Sequence, residues 1–179
     1  MPEQDVGRSS ILLCYDGSDF ARRAIEDSAV VLGGGPAVVL TIFESIASAL
    51  LRQRQSEKTE MGREFKQIAE EVVDELDAGA AERAEATAAE GAELAEASGF
   101  EASHHSRRAV ARTAERDTTT VWRAILDFAD EQDSSVIVVG ARGASRINSA
   151  LLGSVSYGLL HNSARPILVM PPEHRADAR

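Results

Sequence analysis

The residues of this chain best suited to chemistry are three glycines and a serine behind an apolar run. Residues 136–156 read VIVVGARGASRINSALLGSVS. Gly140 and Gly143 enclose two residues, and nine more precede Gly153 and Ser154, giving G-x2-G-x9-G-S. Glycine lets main-chain N–H groups approach an anion with no side chain in the way. The spacing of Val155, Leu159 and Leu160 predicts a helix that begins near Gly153 and Ser154. Its first turn adds orphan N–H donors and the positive end of the macrodipole. The hydroxyls of Ser154 and Ser156 are further donors for a phosphate oxygen. The stretch reads as a phosphate cradle, although it is neither a Walker A loop nor a dinucleotide fingerprint. The competing reading is a plain strand-to-helix connection whose glycines serve only to turn the chain.

Other reactive side chains are scattered. Asp16 follows an apolar run and stands where open α/β sheets bind ligands, beyond the carboxyl end of a strand. Its carboxylate suits a ribose hydroxyl, an adenine amine or water-mediated Mg²⁺; a turn or capping aspartate is the alternative. Cys14 reads as a core residue rather than a reactive thiol. Glu70, Glu71, Asp74, Glu75 and Asp77 read as a solvated acidic helix face. His104 and His105 are adjacent on an expected strand and so face opposite ways, which argues against one shared metal. The arginines of 107–120 (Arg107, Arg108, Arg112 and Arg116) read as part of a solvated loop and short helix, with a basic flap near the phosphates as the alternative.

The elements that must hold these residues alternate. Residues 10–15 (SILLCY) predict a buried strand, and Ser18 or Asp19 caps a helix over 19–32. Its apolar stripe is Ala21, Ala24, Ile25, Ser28, Val31 and Leu32. A Gly-Gly-Gly-Pro run stops that helix, and 37–43 (AVVLTIF) predict the second strand of a right-handed βαβ unit. Residues 45–98 predict one or two long helices, with Gly79 as a break and 45–60 as a lid or linker. Phe65, Ile68, Val72 and Leu76 recur there at helical spacing. A third strand follows over 100–106. A helix then starts behind Thr118, Thr119 or Thr120, with Val121, Trp122, Ile125, Leu126 and Ala129 on its apolar face. The β-branched run 136–139 is the fourth strand, and 167–170 the fifth. The sum is a doubly wound five-stranded parallel α/β sheet flanked by helices.

Length and charge bound what this domain does. With 179 residues, a single domain over 9–171 is expected, between polar tails at 1–8 and 172–179. A net charge of −10 disfavours nucleic acid and anionic membranes as partners. No apolar run reaches the roughly 18 residues of a membrane span. The opening MPEQDVGRSS lacks an apolar leader core, and one cysteine permits no internal disulfide. The cytoplasm is the expected location.

Three blocks resemble the universal stress protein family: ILLCYDGSDFARRAI, ILDFADEQDSSVIVVGARGASRINSALLGSVSYGLL and RPILVMPP. The resemblance covers about 9–171 and implies strand order 3-2-1-4-5. It implies that Asp16 and the backbone near Cys14 meet adenosine, and that Ile42 helps form the adenine pocket. Val139 and Gly140 would line the nucleoside, and Gly143 would approach phosphate. Gly153, Ser154 and Val155 would hold the phosphates, with Ser156 and Arg142 as lesser contributors. It implies ATP, or ADP or AMP, with Mg²⁺ carried by the phosphates and Asp16. It also implies a homodimer through Ile167, Leu168 and Val169. The expected function is that of an ATP-binding stress-response protein acting through nucleotide-dependent conformation or partner contact. Slow ATP or adenylate hydrolysis, and a nucleotide-free dimeric scaffold, are the alternatives. The middle region and 107–120 are longer than the family pattern.

Overall fold

The computed structural model describes residues 10–44, 63–109, 121–141 and 152–171, with backbone alone for 63–74. In chain order the elements are β1 (Ile11–Cys14), α1 (Asp19–Leu32), β2 (Gly35–Glu44), α2 (Arg63–Ala97), β3 (Phe100–Ala109), α3 (Val121–Glu131), β4 (Val136–Gly140), α4 (Ser154–Asn162) and β5 (Ile167–Met170). The strands form one sheet in the order β3-β2-β1-β4-β5, and every pairing is parallel. Chain order and sheet order therefore reverse between β1 and β4, which is where doubly wound sheets open a ligand crevice.

Period-two alternation divides the central strands between two cores. Ile11, Leu13 and Tyr15 pack with Ala21, Ala24 and Ile25 of α1 and Ala92 and Ala95 of α2. Leu12, Val38, Leu40, Ile137 and Val139 pack with Ile125, Phe128 and Ala129 of α3 and Leu159 of α4. The strands nearest the middle read as unbroken apolar runs because both faces are covered. α1 begins at an N-cap, Ser18, whose side chain accepts from the Ala21 N–H at 3.2 Å. Gly33, at φ 76°, ends it.

Several expectations are corrected. One residue of the α1 stripe is misplaced: Val31 is 64% exposed, while Leu32 is half-buried and packs against the core. Gly79 breaks nothing; α2 is one helix of 35 residues. A single glycine costs only about 1 kcal/mol in a helix, too little to stop one this long. β3 runs on to Ala109 because it pairs with all ten residues of β2, so Arg107 and Arg108 are strand residues, not loop. Asp77 is buried rather than solvated and meets Arg108 at 3.4 Å. Residues 45–60 and 110–120 lie outside the described residues.

The two histidines do face opposite ways. His104 meets Glu85 of α2 at 3.3 Å, while the His105 ring lies 5.4 Å from that of Phe128 on α3. Among the described residues no group of three or more His, Cys, Asp or Glu side chains is placed to hold a metal ion.

Candidate functional site

The candidate site lies at the carboxyl ends of β1, β2 and β4, against the first turn of α4. β1 is short. Its pairing with β2 ends at Cys14↔Leu40, followed by the Tyr15 N–H donating to the Leu40 carbonyl at 3.0 Å. β2 continues to Glu44 alongside β3. Main-chain groups alternate sides along a strand. Because the Leu40 carbonyl faces β1, the N–H and C=O of Ile42 face the same way, above the point where β1 has ended.

On the other flank, β4 ends in Gly140, and the Ala141 carbonyl accepts from the Gly153 N–H at 2.8 Å. That bond brings the start of α4 back to the end of β4. Gly153 is the N-cap, in an extended conformation (φ −63°, ψ 158°), and makes no side-chain cap. The first intrahelical bond runs from the Tyr157 N–H to the Gly153 carbonyl at 2.9 Å. The N–H groups of Ser154, Val155 and Ser156 therefore have no acceptor within the helix, and none among the described residues. Three donors at the positive end of a helix dipole can receive an anion.

Ser154 is exposed, so its hydroxyl is open to a ligand. Ser156 is not: it is 2% exposed and its Oγ donates to the Gly140 carbonyl at 2.8 Å. Its side chain holds α4 to β4, which leaves only its N–H facing outward. Val139 is buried in the core under this turn. Arg142 and Gly143 lie outside the described residues.

Asp16 is exposed at the end of β1, beside the switch in strand order. Its Oδ1 accepts from the Ser18 N–H at 3.1 Å and from the Ser18 hydroxyl. The turn reading is thus realised, at the end of β1 where the strand order switches. Cys14 is half-buried and packs toward α3 and α4. Burial, and secondarily the Asp16 carboxylate, push its thiol up to about 12, so it remains protonated and unreactive at neutral pH.

Residues that the sequence reading passed over also shape this edge. Thr41 is buried, and its Oγ1 donates to the Tyr15 carbonyl at 2.8 Å, tying β2 to the residue before Asp16. The Tyr15 hydroxyl donates to Glu90 of α2 at 2.8 Å. Gly91 admits the Tyr15 ring: a Cβ there would stand 2.6 Å from Tyr15 Cδ1. A glycine inside an otherwise alanine-rich helix was the available signal, since such a residue usually marks a close approach.

Residues 7–171 match the universal stress protein family. No curated protein matches the chain. Among solved structures, hypothetical protein MJ0577 is similar at 20% identity and TM-score 0.67, covering 93% of this chain and 97% of that one. A universal stress protein from Archaeoglobus fulgidus is similar at 19% identity and TM-score 0.54, covering 90% and 97%. A universal stress protein in complex with cAMP is similar at 18% identity and TM-score 0.53, covering 91% and 96%.

Proposed function

The chain belongs to the universal stress protein family, and from that premise we propose that it binds an adenine nucleotide at the β1/β4 crevice. One observation carries the proposal. The N–H groups of Ser154, Val155 and Ser156, with no acceptor among the described residues, stand at a helix start on the same sheet edge as Asp16 and the Ile42 main chain, which faces β1 beyond its end. The helix start suits the phosphates, and Gly140, Gly143 and Gly153, which carry no side chain, and Arg142 are proposed to contribute to holding them. Asp16 suits the ribose. The paired donor and acceptor of Ile42 suit an adenine edge, with Cys14 and Val139 beneath it as apolar floor. The cAMP complex of a similar fold supports this choice of ligand.

ATP, or ADP or AMP, is the proposed ligand. Mg²⁺ would be held chiefly by the phosphates, with Asp16 as its indirect protein contact. The nucleotide acts as a conformational and partner-binding signal in a stress-response protein of the cytoplasm. A homodimer is proposed through β5. The Ile137 N–H donates to the Pro166 carbonyl and the Ala141 N–H to the Met170 carbonyl. By alternation, Ile167 and Val169 turn their main chains to the open edge, where a second copy can pair.

Isothermal titration of the purified protein with ATP, ADP and AMP tests the reading, alongside mass spectrometry of ligand released on denaturation. Binding of one of them in the wild type, lost in Gly153→Val, is the expected result. A protein that binds none of the three sinks it.

A further inference from the structure

α2 grips the Tyr15 side chain at two points, and its Thr87 lies beside Gly17. A Cβ on Gly17 would lie 3.6 Å from the Thr87 methyl. The Tyr15 hydroxyl reaches Glu90 Oε1 at 2.8 Å, and the Tyr15 ring fills the notch at Gly91. Thr87, Glu90 and Gly91 are three and four residues apart, so they share one face of the helix. Glu90 Oε1 also takes Arg22 of α1 at 2.7 Å. Tyr15 is 2% exposed, and its N–H and carbonyl are both bonded to β2. Every polar atom of Tyr15 is thereby committed, and Asp16 follows it directly.

An exposed Arg–Glu pair alone contributes little to stability. Glu90 here has a second role, because it accepts from the buried phenol of the residue that directly precedes Asp16. We propose that Tyr15 is the positioning residue for Asp16, and that its Glu90–Arg22 tie couples nucleotide occupancy of the crevice to α2. This rests on the nucleotide reading above. Linkage then requires reciprocity: a nucleotide that orders residues 15–17 steadies the α2 segment gripping them, and loosening that segment weakens nucleotide binding.

The test is hydrogen exchange and ATP titration of the full chain, for wild type, Tyr15→Phe, Glu90→Ala and Glu90→Gln. Tyr15→Phe keeps the ring in the Gly91 notch and so keeps the fold. Glu90→Gln keeps a side-chain oxygen for the phenol. In the wild type, ATP slows exchange across residues 83–97. In Tyr15→Phe and Glu90→Ala, affinity falls about five-fold and that slowing is lost. Glu90→Gln retains affinity within about two-fold and keeps the slowing. A Tyr15→Phe protein with wild-type affinity and wild-type slowing overturns the coupling while leaving the nucleotide reading intact. So does a fall in melting temperature without either change. A wild type that binds no ATP overturns both.

Discussion

At Gly153 the backbone is extended, at φ −63°, which any residue adopts. A valine there therefore blocks the approach to the Ser154, Val155 and Ser156 N–H groups without straining the chain. Gly153→Val should lower ATP affinity at least about ten-fold, the loss of two or more charge-assisted hydrogen bonds. Its melting curve should be nearly unchanged. Ser156→Ala should do the reverse. It leaves the helix N–H groups alone but removes the buried Oγ bond to Gly140. A cost of about 1 kcal/mol in denaturant unfolding is expected. Tyr15 offers a spectroscopic handle. Burial first, then the hydrogen bond to Glu90, push its phenol from 10.0 up to about 12. Since the folded value lies above the unfolded one, the associated stability is complete below pH 10 and is lost as pH rises toward 12. An absorbance titration of Glu90→Ala should show the tyrosinate forming at lower pH than in wild type.

Between elements, two contacts can be tested, one of helix against helix and one of strand against helix at the sheet edge. A Cβ on Gly158 of α4 would stand 2.2 Å from Trp122 Cδ1 of α3. The indole or one of the two helices must shift to admit that carbon. Gly158→Ala should therefore cost about 1–3 kcal/mol, read as a lower melting temperature, even though alanine is the better helix former. At the β3 edge, Arg107 meets both Glu131 oxygens, at 2.7 and 2.8 Å. The guanidinium also lies 5.8 Å from the Phe128 ring centre. The Arg107 guanidinium holds the Glu131 carboxyl below the usual carboxylate range. A depressed folded value means that this stabilisation is present above the unfolded value of 4.5 and is lost as pH falls through the folded one. Arg107→Ala should flatten the acid limb of the stability profile. The effect is small, because the pair faces water. Charges on β3 have a second use: they keep a long edge strand from pairing with other chains.

For the whole molecule, the ligand and the second copy are both expected to act by mass action. ATP at one hundred times its dissociation constant should raise stability by about 2.7 kcal/mol, visible as a melting shift in wild type and absent in Gly153→Val. The proposed dimer hangs on main-chain groups of β5 that face away from β4. Val169→Pro removes one such N–H while sparing the β4 ladder, so it should sediment as a monomer where wild type sediments as a dimer. Equal sedimentation of the two would remove β5 from the interface. The proposed dimer would use the edge of β5 that faces away from β4, and the proposed nucleotide the crevice between β1 and β4, so each variant should leave the other property nearly intact.

Local chemistry alone determined a good deal. Apolar runs such as Leu12–Leu13 and Val136–Val139 read as strands covered on both sides, and Gly153-Ser154 marked the neighbourhood where α4 starts. The strand order was legible as well, but through resemblance, because periodicity says which residues are buried and not which strands are neighbours. Tertiary structure decided the rest. Asp77 and Arg108 are far apart in the chain, and nothing in either neighbourhood announces that they meet. Ser156 looked like a phosphate donor until the Gly140 carbonyl was brought within reach of its hydroxyl. The grip of α2 on Tyr15 is likewise a contact across 75 positions. Neighbours along a chain set backbone preference over a few residues; which side chains meet depends on how the two layers of helices settle on one twisted sheet.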